Sequence, residues 1–313
     1  METRTKMKAV IYTKYGEPEV LQLAEIEKPQ PKDNELLVKV KASSVTSGTI
    51  WMRKGKFPGS FFFTLMIRLI FGITKPKRKV LGFEFSGIVE QVGKNVTQFK
   101  IGDAVYGTTT GLKNGAYADY VCVPEKWKMG VVMHKPETLS FETAAVLPIG
   151  AMTALCILKK ANLSKGKTIL IYGASGSVGS YAVQIANYYE AKVTGVCSTK
   201  NLELVKSIGA NVVLDYTKND FNSHQDKYAI IFDAVGKLNK KQWKNRLNSK
   251  GVYCSVKTIT DERIEYLNEI HQMWETGLLK PIIDRSYTID EIVDAHQYVD
   301  LGHKVGNVCI VHN

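Results

Sequence analysis

Up to about residue 130, apolar residues fall in short alternating or clustered runs between glycine-rich breaks: MKAVIYT, ELLVKVKAS, FSGIVEQVG, GDAVYG and GAYADYVCV. Runs of this length and period predict strands, and their number predicts a compact β-rich unit, partly closed like a barrel. Near residue 140 the texture changes. SFETAAVLPIGAMTALCILKKANL reads as helical, and Pro148 should end one helix before a second begins. Short apolar strands then follow at Thr168–Tyr172, Lys192–Cys197, Val212–Leu214, Ala229–Asp233 and Gly251–Val256, with helical stretches such as NLELVKSIG between most of them. Continuous apolar strands separated by helices predict a parallel sheet covered on both faces. After about residue 280, TIDEIVDAHQYVD opens with the capping-box pair Thr288 and Glu291 and predicts a helix, and GNVCIVHN reads as a last strand.

The stretch TILIYGASGSVGSYAVQIA, residues 168–186, carries the first chemical signal. ILIY is a buried strand, and Val178, Ala182, Ile185, Ala186 and Tyr189 recur at helical spacing. Between them lie Gly173, Ala174, Ser175, Gly176, Ser177, Val178 and Gly179. A strand, a glycine turn and a helix start, in that order, set free backbone N–H groups and the positive helix end against a pyrophosphate. Gly176 would let the backbone approach the phosphates, and Gly179 would let the helix pack closely on the strand. Ala174 replaces the first glycine of the usual pattern. The loop is read as a dinucleotide site.

The end of the second parallel strand decides which dinucleotide. An NAD site usually places Asp or Glu there, about 20 residues on, to hold the ribose 2′-hydroxyl. Here KVTGVCSTKN has no carboxylate before Glu203. Ser198, Thr199 and Lys200 instead offer charge-assisted hydrogen bonds to a 2′-phosphate. The residues favour NADPH.

Composition narrows the class. The 313 residues can bury a large core in two domains. A formal charge of +12 suits an anionic ligand, but the Lys and Arg residues are scattered, so no specific nucleic acid is predicted. The one dense cluster, Lys75, Lys77, Arg78 and Lys79, reads as a solvated loop. The five cysteines, at 122, 156, 197, 254 and 309, are odd in number, widely spaced and without a CxxC pair. They argue against a disulfide framework or a structural zinc knuckle. With no apolar h-region in METRTKMKAV, the expected location is cytoplasmic. The segment FPGSFFFTLMIRLIFGI, residues 57–73, is short for a membrane span and carries Arg68 near its middle. It reads as a helix covering a pocket or packing on its domain, with peripheral membrane contact left open. No transmembrane segment is predicted.

Taken in order, these residues resemble the medium-chain dehydrogenase/reductase superfamily, in particular its zinc-independent quinone oxidoreductase branch, often labelled zinc-type alcohol dehydrogenase-like. The resemblance runs through GEPEVLQL, LGFEFSGIVEQVG, VTQFKIGDAVYG, GAYADYVCVP, LSFETAAVLPIGAMTA, GASGSVGSYAVQIA, IGANVVLDY, IFDAVG and the segment from KPIIDRSYTIDEIV to GHKVGNVCIV. It implies an α/β protein: a GroES-like β-rich catalytic domain from residues 1–147 and 282–313, and a Rossmann NADP-binding domain, a doubly wound parallel sheet, at 148–281. Zinc-dependent members carry a Cys in the first active-site loop and a Gly-His-Glu further on. Those places here read Val45-Thr46-Ser47-Gly48 and Gly82-Phe83-Glu84. The two zinc-binding side chains are absent, as is the four-cysteine lobe, so no metal is expected. His134 and His271, in segments read as helical or connecting, are assigned structural roles.

The resemblance also implies a site. Thr46 stands where relatives often have Asn, and Trp51 where several have Tyr; they are candidates to donate to a carbonyl and to stack on a flat ring. Thr49 replaces an acid common in the branch, and Glu84 matches a glutamate behind the active site. Thr153 falls near the expected nicotinamide, Tyr216 near the adenine, and Ala234, Val235 and Gly236 after the fourth strand of the sheet. Asn307 lies where the C-terminal segment returns to the cleft. Without a metal, reduction of a quinone or an α,β-unsaturated carbonyl asks least of the protein: orientation, exclusion of water and stabilisation of an oxyanion. The expectation is an NADPH-dependent oxidoreductase acting on a hydrophobic carbonyl or quinone substrate. An enoyl-thioester reductase and a non-catalytic NADPH-binding protein stay open beside it. Relatives have a longer insert after KGVYCSV, whose edge strand often pairs across a dimer; its shortening here points to a monomer or an atypical homodimer.

Overall fold

The period-two runs of the N-terminal third form strands in the computed structural model, which describes residues 5–57, 61–113, 115–218, 221 and 224–312. The chain divides into two compact units, one ending at Ile149 and resuming at Ile283, the other spanning Gly150–Ile282.

In the first unit, β1 (Lys6–Ile11) pairs antiparallel with β2 (Gln22–Glu27). The sequence pattern did not single out β2, whose residues are all exposed or half-buried, so it has little apolar contrast to read. The long strand β3 (Glu35–Ser44) organises the rest. It pairs antiparallel with β4 (Glu84–Val92) along one side. Along the other it pairs with β6 (Tyr120–Pro124) through Glu35–Lys39 and with β14 (Asn307–Val311) through Ala42–Ser44. Strands β5 (Ala104–Thr108), β7 (Val132–His134) and β13 (Ile283–Thr288) complete a seven-stranded sheet. His134 thus ends a strand, where a helix or connection was expected; its Nε2 meets the Gln98 carbonyl at 3.1 Å.

Three helical pieces of this unit matter for function. Helix α1 (Ser47–Lys54) starts at Thr46, where the Thr46 and Thr49 side chains cap each other's backbone N–H, and stops at Gly55, whose φ of +57° suits glycine. Helix α2 (Phe61–Phe71) lies in the apolar segment. The expected break at Pro148 is present: α3 (Phe141–Ala145) ends before it, and α4 (Pro148–Lys160) begins on it.

The second unit holds five parallel strands: β8 (Thr168–Tyr172), β9 (Lys192–Cys197), β10 (Val212–Asp215), β11 (Tyr228–Asp233) and β12 (Leu247–Ser255). Their order is β10-β9-β8-β11-β12, so the winding reverses between β8 and β11. Brought to the carboxyl ends of such strands, a ligand sits at the switch point. Helices α5 (Ser177–Tyr188), α6 (Leu202–Ser207), α7 (Lys240–Trp243) and α8 (Ile264–Glu275) belong to this unit. Leu267, Ile270 and Met273 bury one face of α8 at helical spacing. Back in the first unit, α9 (Ile292–Asp300) follows the Thr288–Glu291 capping box anticipated from sequence.

Candidate nucleotide site and substrate loop

The glycine loop connects β8 to α5. Gly173 has φ +78°, and a Cβ there would lie 2.3 Å from Val235 Cγ2. The loop therefore rests against the segment after β11. At Gly179 a Cβ would lie 2.0 Å from the Gly173 carbonyl oxygen, a distance no side chain can occupy. That contact lets α5 start directly above the strand. Gly176, the N-cap of α5, is different. A Cβ there would meet nothing nearer than 3.5 Å, and no side chain caps the helix end. A helix of 12 residues thus begins with its partial positive charge uncapped, beside a position whose missing side chain leaves open space. This cradle fits a pyrophosphate.

Ala174 does not reach into that space. It is fully buried, and its N–H joins that of Gly173 in donating to the Val196 carbonyl at 3.0 Å. Its role is to tie the loop to β9. Ser175, Ser177 and Val178 remain half-buried around Gly176. Helix α4 meets the same place: a Cβ at Gly150 would fall 2.7 Å from Ser177 Oγ. Thr153, three residues on, shares that face of α4 and is itself half-buried.

Ser198 follows β9 and is half-buried, while Lys200 is exposed in the short 3₁₀ turn Thr199–Asn201. A residue not foreseen joins them to the glycine loop. The Asn201 side chain, 8% exposed, donates to Ser175 Oγ at 3.0 Å and to Ser198 Oγ at 3.3 Å. Each serine oxygen accepts there, so each hydroxyl keeps its proton to donate to an anion. The carboxylate at the end of the neighbouring strand β10, Asp215, is engaged otherwise. It accepts from Thr199 Oγ1 at 2.5 Å, from Thr217 Oγ1 at 2.6 Å and from the Thr217 backbone. Those hydrogen bonds, led by that from Thr199, hold its carboxyl below the usual range. Thr199 is thereby committed to Asp215, which leaves the Ser198 hydroxyl and the exposed Lys200 able to bind an anion. Tyr216 follows, 45% exposed, with its ring 6.0 Å from that of Tyr172.

After β11, the buried Asp233 carboxylate accepts from the backbone of Val235, Gly236 and Leu238 at 3.1, 2.7 and 2.8 Å, and from Tyr253 Oη. The N–H groups of Val235 and Gly236 therefore turn inward. What this loop presents outward is the Val235 side chain, 44% exposed, and Ala234, whose own N–H donates to the Tyr172 carbonyl.

The remaining predicted residues belong to the first unit. Thr46 accepts from the Thr49 N–H at 3.2 Å, which occupies a lone pair of its hydroxyl and leaves the proton to donate. Thr49, where an acid was expected, donates to the Thr46 carbonyl at 2.7 Å and serves the cap. The half-buried Trp51 ring leans on Phe57 with centroids 4.7 Å apart. Behind this loop Glu84, 1% exposed, accepts from Ser44 Oγ and, at 2.7 Å, from the Ile149 N–H. Asn307 is buried at the start of β14.

A second buried network was not foreseen. The wholly buried Arg53 of α1 donates to Asp300 and, at 3.3 Å, to His296 Nδ1 on α9. A guanidinium only donates, so Nδ1 accepts and the imidazole proton sits on Nε2, 3.3 Å from Tyr117 Oη. Tyr117 in turn donates to the Ser44 carbonyl at 2.9 Å. Burial first, and the Arg53 charge second, keep His296 far below its ordinary pKa. The network fixes the helix that carries Thr46 and Trp51. Its only sequence signal was His296 beside the apolar stripe Ile292, Ala295, Val299 of α9.

A zinc ion does not fit the places where zinc-dependent relatives hold one. Phe83 offers only a ring, the Thr46 oxygen serves the helix cap, and both Glu84 carboxylate oxygens already accept hydrogen bonds. Among the described residues no cluster of His, Cys, Asp and Glu is suited to a metal.

Comparison with known proteins agrees with this architecture. The alcohol dehydrogenase GroES-like domain matches residues 32–137, and zinc-binding dehydrogenase models match 177–273 and 239–310. A 2-methylene-furan-3-one reductase of Solanum lycopersicum is 34% identical over 98% of this chain and 79% of its own. An NADPH-dependent alkenal/one oxidoreductase of Arabidopsis thaliana, a chloroplastic protein, is 31% identical over 97% of this chain and 79% of its own. The solved quinone oxidoreductase of Coxiella burnetii superposes with a TM-score of 0.86 at 26% identity, covering 98% and 99% of the two chains. The fold is that of a two-unit oxidoreductase with a doubly wound nucleotide-binding sheet. The chain belongs to the medium-chain dehydrogenase/reductase superfamily, within its quinone oxidoreductase-like branch.

Proposed function

We propose that this protein is an NADPH-dependent, zinc-independent reductase of quinones or α,β-unsaturated carbonyls. The carrying observation is the cradle at Gly176, with Asn201 linking Ser175 to Ser198 and with Asp215 withdrawn onto Thr199 and Thr217. A pyrophosphate is received by the backbone at Gly176, Ser177, Val178 and Gly179 and by the Ser175 hydroxyl. Ser198 and Lys200 would receive a 2′-phosphate, Tyr216 would flank the adenine, and Thr153, Ala234 and Val235 would line the course toward the nicotinamide. When bound, the reduced nicotinamide supplies a hydride to an electrophilic carbon of the acceptor. The Thr46 hydroxyl donates to the acceptor's carbonyl oxygen, where charge accumulates, and Trp51 orients a flat acceptor. Solvent supplies the proton. The relatives named for furanone, alkenal and quinone reduction support this substrate class.

The catalytic domain is residues 1–147 and 282–313, and the nucleotide domain 148–281. The location proposed is cytoplasmic. No helix among the described residues is long and apolar enough to cross a membrane. The parallel sheet ends on β12 in the described residues, which supports a monomer or an atypical homodimer.

The test is NADPH oxidation with 9,10-phenanthrenequinone and with a small enone, beside NADH and with EDTA present. Rapid, EDTA-insensitive turnover of NADPH but not NADH is expected. Tight NADPH binding without turnover on either acceptor would overturn the reductase reading.

A further inference from the structure

Helix α2 is mounted inside out. Its polar residues face the protein: Thr64 Oγ1 accepts from the Phe57 N–H at 3.0 Å. Arg68 donates to the Gly55 and Ile73 carbonyls at 2.8 and 3.0 Å, with its guanidinium 4.0 Å from the Tyr15 ring centroid. Tyr15 in turn donates to the Gly72 carbonyl at 2.7 Å. The opposite side carries large apolar residues into solvent. Phe61, Phe62, Leu69, Ile70 and Ile73 are 84, 66, 52, 57 and 65% exposed, and Leu65 lies between them at 46%. Phe61, Phe62, Leu65, Leu69 and Ile70 fall at i, i+1, i+4, i+8 and i+9, on one side of the helix, and Ile73 follows just beyond its end at Phe71. The sequence reading left both packing on the domain and peripheral membrane contact open; α2 packs through Thr64, Arg68 and Phe71 and leaves Phe61, Phe62, Leu65, Leu69 and Ile70 exposed. An exposed apolar face of this extent marks a surface that another body covers.

Charge identifies that body. Between Glu35 and Glu84 the sequence has ten Lys or Arg residues and no acidic one. Arg53 and Lys54 pair with Glu17 and Asp300. Lys56, Lys75, Lys77 and Lys79, which bracket α2, are exposed and have no ion pair among the described residues. A second copy seated on this face would bring two such lysine sets together. An anionic lipid surface neutralises them while its acyl region takes the apolar residues. At 11 residues the helix is about 17 Å long, against roughly 30 Å for a bilayer core, so it lies in the interface and does not span.

We propose that α2 and its flanking lysines dock the protein peripherally on membranes rich in anionic lipids. This does not depend on the reductase reading, since it needs no turnover.

The experiment is flotation of the full-length protein with vesicles of phosphatidylcholine alone and with about a third phosphatidylglycerol. The expected result is partition to anionic vesicles that weakens with salt and on neutral ones. Leu65→Glu/Ile70→Glu should lower it more than tenfold, and Lys75→Glu/Lys77→Glu by at least fivefold per lysine, on the order expected for a surface charge. Circular dichroism and NADPH binding check that each variant is folded. No binding to anionic vesicles overturns the proposal. So does binding that survives Leu65→Glu/Ile70→Glu in folded protein, which would be adsorption by charge alone. A solution dimer that these two substitutions dissolve, without vesicle binding, would assign the face to a second copy instead.

Discussion

The Asn201 side-chain amide donates to the Ser175 hydroxyl at 3.0 Å, joining the glycine loop after β8 to the turn after β9. The same amide reaches Ser198, so one side chain holds two serine oxygens and leaves both hydroxyl protons able to donate. Asn201→Ala should leave the fold intact and raise the dissociation constant for NADPH about tenfold, the loss of one to two hydrogen bonds. Fluorescence titration measures it. NADH affinity, which does not draw on Ser198, should change less, and an equal loss for both nucleotides would refute the assignment.

Two glycines three residues apart should respond in opposite ways. Gly179→Ala puts a methyl group 2.0 Å from the Gly173 carbonyl oxygen, so α5 must move and the melting temperature should fall by several degrees. Gly176→Ala meets nothing within 3.5 Å and should melt like the wild type. Its methyl group stands in the phosphate cradle, and NADPH affinity should drop by an order of magnitude or more. Thermal melts with and without NADPH separate the two.

Arg53 is the buried cation that ties α1 to α9. Arg53→Met keeps the bulk but leaves Asp300 with Lys54 alone and His296 without its donor. Breaking such a buried pair costs about 3 kcal/mol. Urea unfolding should show that loss. Because α1 carries Thr46 and Trp51, the KM for the acceptor should rise while NADPH affinity holds.

Acid should destabilise the protein through two histidines. His296 and His312 are both buried and uncharged; burial takes His296 well below 6.5 and His312 to about 3. The unfolded chain takes up these protons near 6.5, whereas the folded chain refuses them. Stability from this source is therefore complete above pH 6.5 and is lost as pH falls toward the folded values. Each group adds a slope of about 1.4 kcal/mol per pH unit in that window. His312 Nε2 lies 2.8 Å from Ser43 Oγ, and His312→Gln can keep that contact without titrating. Its unfolding free energy should decline less steeply between about pH 6 and 4, and an unchanged slope would refute the assignment.

The local signals served well where period and turn chemistry agree. ILIY followed by glycines, Pro148, and the Thr288–Glu291 pair each constrain their own neighbourhood, so each was legible without a fold. Strand β2 was missed because none of its residues is fully buried, and nothing local distinguishes it. Asn201 was missed because an asparagine at a helix start reads as a cap; its partner Ser175 lies 26 residues away. Arg53 and His296 are separated by 243 positions and meet only because α9 returns to the first unit.

By itself, then, the amino-acid order determined the two-unit α/β plan, the glycine loop, and a β9 end without a carboxylate. These depend on periodicity and on which residue types stand next to one another. Tertiary structure alone decided which polar groups are already spent: Thr199 and Asp215 on each other, the Ala174 N–H on Val196, and Glu84 on Ser44 and Ile149. It also decided that α2 turns Arg68 inward and Phe61 and Phe62 outward. A hydrogen bond has one direction and a helix one buried side, and both are chosen by partners that chain folding brings from far along the sequence.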